Sequence, residues 1–208
     1  MYRLYGRQGW GSVLVEAQLA WYGLDYEIEE LDDLFASAAA REKLAPLNAL
    51  AQVPTLVLPD GQVMTESAAI TLYLADVTRS SDLVPAVAEA VRPKFLRWLV
   101  FLVANVYPTF TYADDPARFV SVAAAQQPFA DSIAVYRQRL WAQVEANVGS
   151  PWFLGDRLSA LDIYLAVMTR WEPRRAWFAE NRPALHAIAL RADAEPRLAA
   201  AWQHNFPS

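Results

Sequence analysis

Up to about residue 80 the apolar positions alternate between strand-like and helix-like spacing, and beyond it they are helical throughout. Tyr2–Tyr5 is a short apolar strand candidate, followed by a loop from Gly6 to Gly11 that holds three of the chain's seven glycines. Ser12 then opens an amphipathic helix, with Leu14, Ala17, Trp21 and Leu24 near helical spacing and Gly23 as its stop. Tyr26–Glu30 alternates as a strand does, and a weaker helix covers roughly Ala38 to Leu47. Thr55–Leu58 and Gln62–Met64 flank Asp60-Gly61, a strong short-range hairpin signal. Glu66–Asp76 then carries Ala69, Ile70, Tyr73 and Leu74 at helical spacing. The predicted order is β-α-β-α-β-β-α, a parallel start with an antiparallel hairpin end.

The stretch Thr78–Pro85 is polar and ended by proline, and reads as a linker. We therefore expect a small domain over residues 1–79, a linker over 80–86 and an all-helical domain over 87–208. Lys94–Tyr107 and Phe129–Val148 are long apolar-striped helix candidates. In Leu158-Ser-Ala-Leu-Asp162-Ile163, Ser159 can cap a helix, Asp162 occupies its third position and Leu158 can staple to Ile163. Two short helices with early prolines, Pro183 and Pro196, follow.

Composition narrows the chemistry. The 208 residues include no cysteine, which removes disulfides, protein thiolates and cysteine-ligated metals. Two histidines, His186 and His204, leave little for a zinc site or a triad, so no metal is expected. The net charge of −5 and a single short basic group, Arg170/Arg174/Arg175, argue against nucleic acid. The acidity sits in the first part, mostly in the Glu27–Asp33 run, which reads as a solvated edge. The uncharged stretches are too short and too proline-broken to span a membrane, and no signal peptide is visible. A soluble cytoplasmic protein is expected, using hydroxyls, backbone groups or a sulfur brought by a ligand.

Three places could carry that chemistry. Val53-Pro54 reads either as an edge or strand-start proline, or as a cis bond that offers the Val53 N–H and C=O to an extended peptide. Thr65-Glu66-Ser67 reads either as an ordinary helix start, or as a clamp for an α-amino-acid end. In the clamp, free N–H groups and the Ser67 hydroxyl meet a carboxylate while Glu66 meets an ammonium. The loop Gly6-Arg-Gln-Gly-Trp-Gly-Ser12 lacks phosphate-loop spacing, and its Ser12 is either a cap or a catalytic hydroxyl.

Together these pieces resemble the glutathione transferase family over the whole chain. The segment from Gln52 through Ile70 to Asp76 is similar to its glutathione site, and Gly155–Leu165 to the buried capping box of its helical domain. The resemblance implies an α+β thioredoxin-like N-terminal domain (βαβαββα), an all-α C-terminal domain and a homodimer. It implies glutathione as co-substrate: Pro54 matches the cis-proline, Val53 the residue whose backbone pairs with the cysteinyl unit, and Glu66 and Ser67 the pair holding the γ-glutamyl end. Gln52 stands where a polar contact to the tripeptide is common. The family activates the thiol with a Tyr, Ser or Cys near the first helix, and against relatives with Cys then Ser this chain has Gly11 then Ser12. Ser12 is thus the candidate catalytic residue, with backbone N–H groups alone, or Tyr5, as alternatives. A pocket for a small hydrophobic electrophile is expected between the domains, with Trp10, Tyr107, Phe110, Tyr112, Tyr164 and Trp171 as candidates. The implied activity is conjugation of glutathione to such electrophiles. The alternatives are a non-enzymatic ligand carrier or a glutathione-dependent peroxidase or isomerase.

Overall fold

The computed structural model describes residues 1–207, which form two compact units: Met1–Ala86 with Arg191 onward, and Val87–Leu190. The first unit is built on a four-stranded mixed sheet of order β2-β1-β3-β4. Its strands are β1 (Tyr2–Gly6), β2 (Tyr26–Glu30), β3 (Thr55–Val57) and β4 (Val63–Met64). β1 runs parallel to β2 and antiparallel to β3, and β3 antiparallel to β4. The Asp60-Gly61 turn closes that hairpin, with the Gln62 N–H donating to Asp60 Oδ1 at 3.0 Å.

Residues two apart on β1 share a face. Tyr2 and Leu4 join Val15 and Leu19 of helix α1 (Val13–Trp21) and Ile70 and Leu74 of α3 (Ser67–Thr78) in one buried cluster. Tyr5 points the other way and packs with Trp10 against Leu31, Leu34, Ala40, Leu44 and Val53, beside α2 (Ala38–Leu44). Tyr5 near the end of β1 pairs with Thr55 at the start of β3, so the glycine loop and the Val53-Pro54 turn lie at the same end of the sheet.

The acidic run is more than a solvated edge. Glu27 pairs with Arg3 and Glu29 with Lys43, while Asp33 lies 3.7 Å from Arg7 Nη2 and Glu30 3.1 Å from His204 Nε2.

In the second unit, α4 (Arg92–Phe101) passes through a π-helical turn at Leu102–Val106 into α5 (Tyr107–Asp114). The Tyr107 N–H reaches back to the Leu102 carbonyl, and the next residue, Pro108, has no N–H with which to resume the ordinary ladder. Helix α6 (Ala123–Glu145) starts before the predicted Phe129 and carries Pro128 inside it. Helix α7 (Ala160–Met168) is buried along its whole length. Its capping box goes further than the sequence pattern: Asp162 accepts from the Ser159 N–H at 2.7 Å, the Ser159 hydroxyl at 3.0 Å and the Phe153 N–H at 2.7 Å. Helix α8 (Arg174–Asn181) lies outside the predicted elements, because it is only eight residues long, polar on average and buries only Phe178. Helix α9 (Pro183–Asp193) begins at the expected proline.

The C-terminal segment corrects the expected division. A 3-10 turn at Pro196–Leu198 leads into α10 (Ala199–Asn205), and both lie in the sheet unit. Leu198, Ala201 and Trp202 are buried, and the Trp202 indole donates to the Ala192 carbonyl at 3.1 Å. Asn205 donates to Glu16 of α1 at 2.7 Å, so this end of the chain is fastened where the first helix begins. Among the described residues no helix is long and apolar enough to cross a membrane.

Candidate functional site

The Val53–Pro54 peptide bond is cis, and Pro54 directly precedes β3. Among the described residues neither the N–H nor the C=O of Val53 has a hydrogen-bond partner. The preceding carbonyl, by contrast, is firmly held: Gln52 C=O accepts from Asn48 Nδ2 at 3.0 Å and from the Thr55 hydroxyl at 2.8 Å. Asn48 Nδ2 also reaches Thr55 Oγ1 at 3.1 Å, and both side chains are buried. This brace, which sequence reasoning missed, leaves Val53 as a short extended edge beside β3. Such an edge can add one peptide strand. An Asn before a turn was the signal that could have found it.

Beyond β4 the hairpin delivers the chain to α3. Glu66 caps this helix from φ 65°, ψ 100°, a conformation costly for any residue with a side chain. Its carboxyl group is exposed and makes no capping bond. Ser67, the first helical residue, is buried. The first intrahelical bond of this ladder is Ile70 N–H to Glu66 C=O at 3.0 Å, which leaves the earlier N–H groups facing out of the helix end. The helix start is anchored from below: Gln18 of α1 donates to Thr71 Oγ1 at 2.9 Å, and Thr71 donates to Ser67 C=O at 2.9 Å. A carboxylate, a hydroxyl and free helical N–H groups thus meet at one point, as an α-amino-acid end requires.

The glycine loop behaves differently from the expectation for Ser12. This residue is 2% exposed, and its hydroxyl accepts from the Arg7 N–H and donates to the Arg7 C=O, both at 3.1 Å. The packing is tight enough that a Cβ on Gly6 would lie 2.6 Å from Ser12 Oγ. The hydroxyl therefore closes the loop on itself, and its one proton is already committed within the protein. The buried N–H groups of Gly11 and Ser12, just ahead of α1, have no partner among the described residues. Trp10 packs on Phe35 at 5.1 Å between ring centres, with the Arg7 guanidinium 5.4 Å from its own ring, and shares the Val53 cluster with Tyr5.

A sequence model of the glutathione S-transferase N-terminal domain matches residues 15–77. The chain is 38% identical over 206 residues to an uncharacterized GST-like protein, YncG, of Escherichia coli (strain K12), covering 99% of this chain and 98% of that one. The chain belongs to the glutathione S-transferase family. Another relative is glutathione S-transferase GST-4.5 of Xanthomonas campestris pv. campestris, 28% identical over 97% of each chain. A sphingomonad glutathione S-transferase solved in complex with glutathione superposes with a TM-score of 0.72 at 28% identity, over 99% of this chain and 100% of that one. Both the thioredoxin-like sheet and the helical unit are those of glutathione transferases.

The aromatic candidates on the helical unit divide. Tyr107 and Phe110 stand against Trp171, at 5.4 and 4.9 Å between ring centres, forming one cluster. Tyr112 instead meets Phe119 edge-on, at 4.9 Å between ring centres. Tyr164 corrects the expectation for a pocket residue, because it is fully buried along with the rest of α7 and serves as core.

Proposed function

We propose that the chain binds glutathione and transfers its thiolate to a small hydrophobic electrophile. The observation that carries this reading is the pairing of an unpartnered Val53 backbone, beside cis-Pro54, with the strained Glu66 at the start of α3. The cysteinyl unit of glutathione would lie as a short strand on Val53. Its γ-glutamyl ammonium would meet Glu66, and its α-carboxylate the Ser67 hydroxyl and the first N–H groups of α3. Gln52 lies one residue before that strand and lends a polar side chain to its rim. A homodimer, as the family resemblance implies, belongs to the same reading.

Activation rests on the loop. A free thiol with pKa near 8.5 is mostly protonated at neutral pH, and the thiolate is the nucleophile. The Gly11 and Ser12 N–H groups, at the positive end of α1, would stabilise the anion, with the Ser12 hydroxyl shaping the loop instead of touching sulfur. Trp10, which packs in the same cluster as Val53, supplies apolar surface for the electrophile. The committed Ser12 hydroxyl also supports a second reading, a glutathione-binding carrier without catalysis.

Calorimetry tests the clamp: Glu66→Ala and Ser67→Ala should weaken glutathione binding far more than Ser12→Ala, and unchanged affinity in the first two removes it. Conjugation assays against aryl halides and isothiocyanates, with titration of the bound thiol, separate enzyme from carrier. A bound thiol that titrates as free glutathione does selects the carrier.

A further inference from the structure

The glycine loop is held from two sides. On one side is the Ser12 hydroxyl. On the other is Asn205, distant in sequence, whose Oδ1 accepts from the Gly9 N–H at 3.2 Å. The Asn205 amide is fully used: its nitrogen donates to Glu16 Oε2 at 2.7 Å and to the Ala201 C=O at 2.9 Å. Because a carboxylate and a carbonyl both require a donor, and the Gly9 N–H requires an acceptor, the amide fits in one orientation only. Gly9 itself sits at φ +74°, with the Asn205 backbone and the Phe206 ring where a Cβ would approach.

Glu16 explains why this amide is so well fixed. It is 3% exposed, on the first turn of α1, directly after the Gly11 and Ser12 N–H groups. Burial raises its pKa, and its bonds to Asn205 and His204 oppose that rise. His204 Nδ1 lies 2.9 Å from Glu16 Oε1, and His204 Nε2 3.1 Å from Glu30 Oε1 on β2. Tyr26 of β2 also feels the Glu16 charge. A buried carboxylate without these partners would be costly, so α10 stays seated and carries Asn205 with it.

We infer that Asn205 is a positioning residue for thiol activation: by fixing the Gly9 N–H from the C-terminal helix, it sets the direction of the Gly11 and Ser12 N–H groups. Asn205 touches no reacting atom. This rests on the reading that the loop activates glutathione, and it assigns the C-terminal segment a part in that site. The γ-glutamyl clamp at Glu66 and Ser67 is separate, so the inference predicts a loss of catalysis without a loss of glutathione affinity.

Asn205→Ala and Asn205→Asp in the full chain provide the test. In Asn205→Ala the pKa of the bound thiol should rise by about one unit and kcat fall about tenfold, while the glutathione Kd stays within about twofold. Hydrogen exchange of the Gly9 amide should accelerate in the same variant, with or without glutathione. In Asn205→Asp an ionised carboxyl opposes Glu16, whereas the protonated acid can donate to Glu16 and accept from Gly9. Activity relative to wild type should therefore recover as pH falls. A lowered melting temperature with unchanged thiol pKa, kcat and Gly9 exchange would overturn the inference and leave Asn205 as packing alone. If the wild-type bound thiol is unshifted, the activation reading fails by itself, and Gly9 exchange still decides whether Asn205 holds the loop.

Discussion

Replacing Glu66 by glycine and by alanine should separate what its backbone costs from what its side chain does. The residue is held at φ 65°, ψ 100°, a region that only glycine enters freely. Such strain costs roughly 1–3 kcal/mol, while glycine loses about 0.5–1 kcal/mol of extra chain entropy on folding. Glu66→Gly should thus be more stable than wild type by about 1 kcal/mol, a rise of about 2–4 °C in melting temperature for a chain of this size. Glu66→Ala keeps the side-chain clash and should gain nothing. Both variants lose the carboxylate, and a charge-assisted bond worth about 1.5–3 kcal/mol corresponds to roughly 10- to 150-fold weaker glutathione binding. Scanning calorimetry without ligand and titration calorimetry with glutathione read the two effects separately. The reasoning fails if Glu66→Gly is no more stable than Glu66→Ala, or if both bind glutathione as wild type does. The combination expected, a more stable protein that binds its ligand worse, is what a strained residue retained for function produces.

Asp162→Ala should lower the stability of the helical unit by about 3–5 kcal/mol, since it strands the buried Phe153 and Ser159 N–H groups and breaks the capping box of α7. Urea unfolding followed by tryptophan fluorescence checks it, and a loss below about 1 kcal/mol would contradict the bonding scheme. Burial outweighs the hydrogen bonds to Asp162 and pushes its carboxyl up from 3.8 to about 6. The folded state then holds a proton that the unfolded state has released, so stability falls as pH rises from about 4 to about 6, by up to about 3 kcal/mol, and is flat above. Melting temperatures across that range should lose this slope in Asp162→Ala, and an equal slope in both proteins would reject the assignment.

Much of this was legible in the chain because the signals are local. Asp60-Gly61 between apolar runs specifies the hairpin within a few residues, and Ser159 with Asp162 specifies a helix start within one turn. Val53-Pro54 and Glu66-Ser67 lie in one continuous segment, so the candidate site stands in the chain as a string. Helix α8 escaped because it is only eight residues long, polar on average and buries a single side chain, Phe178. The Gln52 carbonyl brace was missed because Asn48 and Thr55 are ordinary loop and strand residues until the cis turn brings them together.

The sequence by itself determined the order of elements up to about residue 80 and the absence of any protein thiol. Each depends on residue type and short spacing, which hydrophobic periodicity and turn chemistry encode directly. Only the tertiary structure decided what Ser12 does. A hydroxyl in a glycine-rich loop can serve as cap, catalyst or brace, and the choice follows from Gly6 lying close enough for the loop to close on Arg7. Only the tertiary structure, likewise, placed Asn205 on Gly9, a contact 196 residues apart in the chain. No local pattern reports such a bond, because it exists only once Glu16 is buried and the last helix is folded over it.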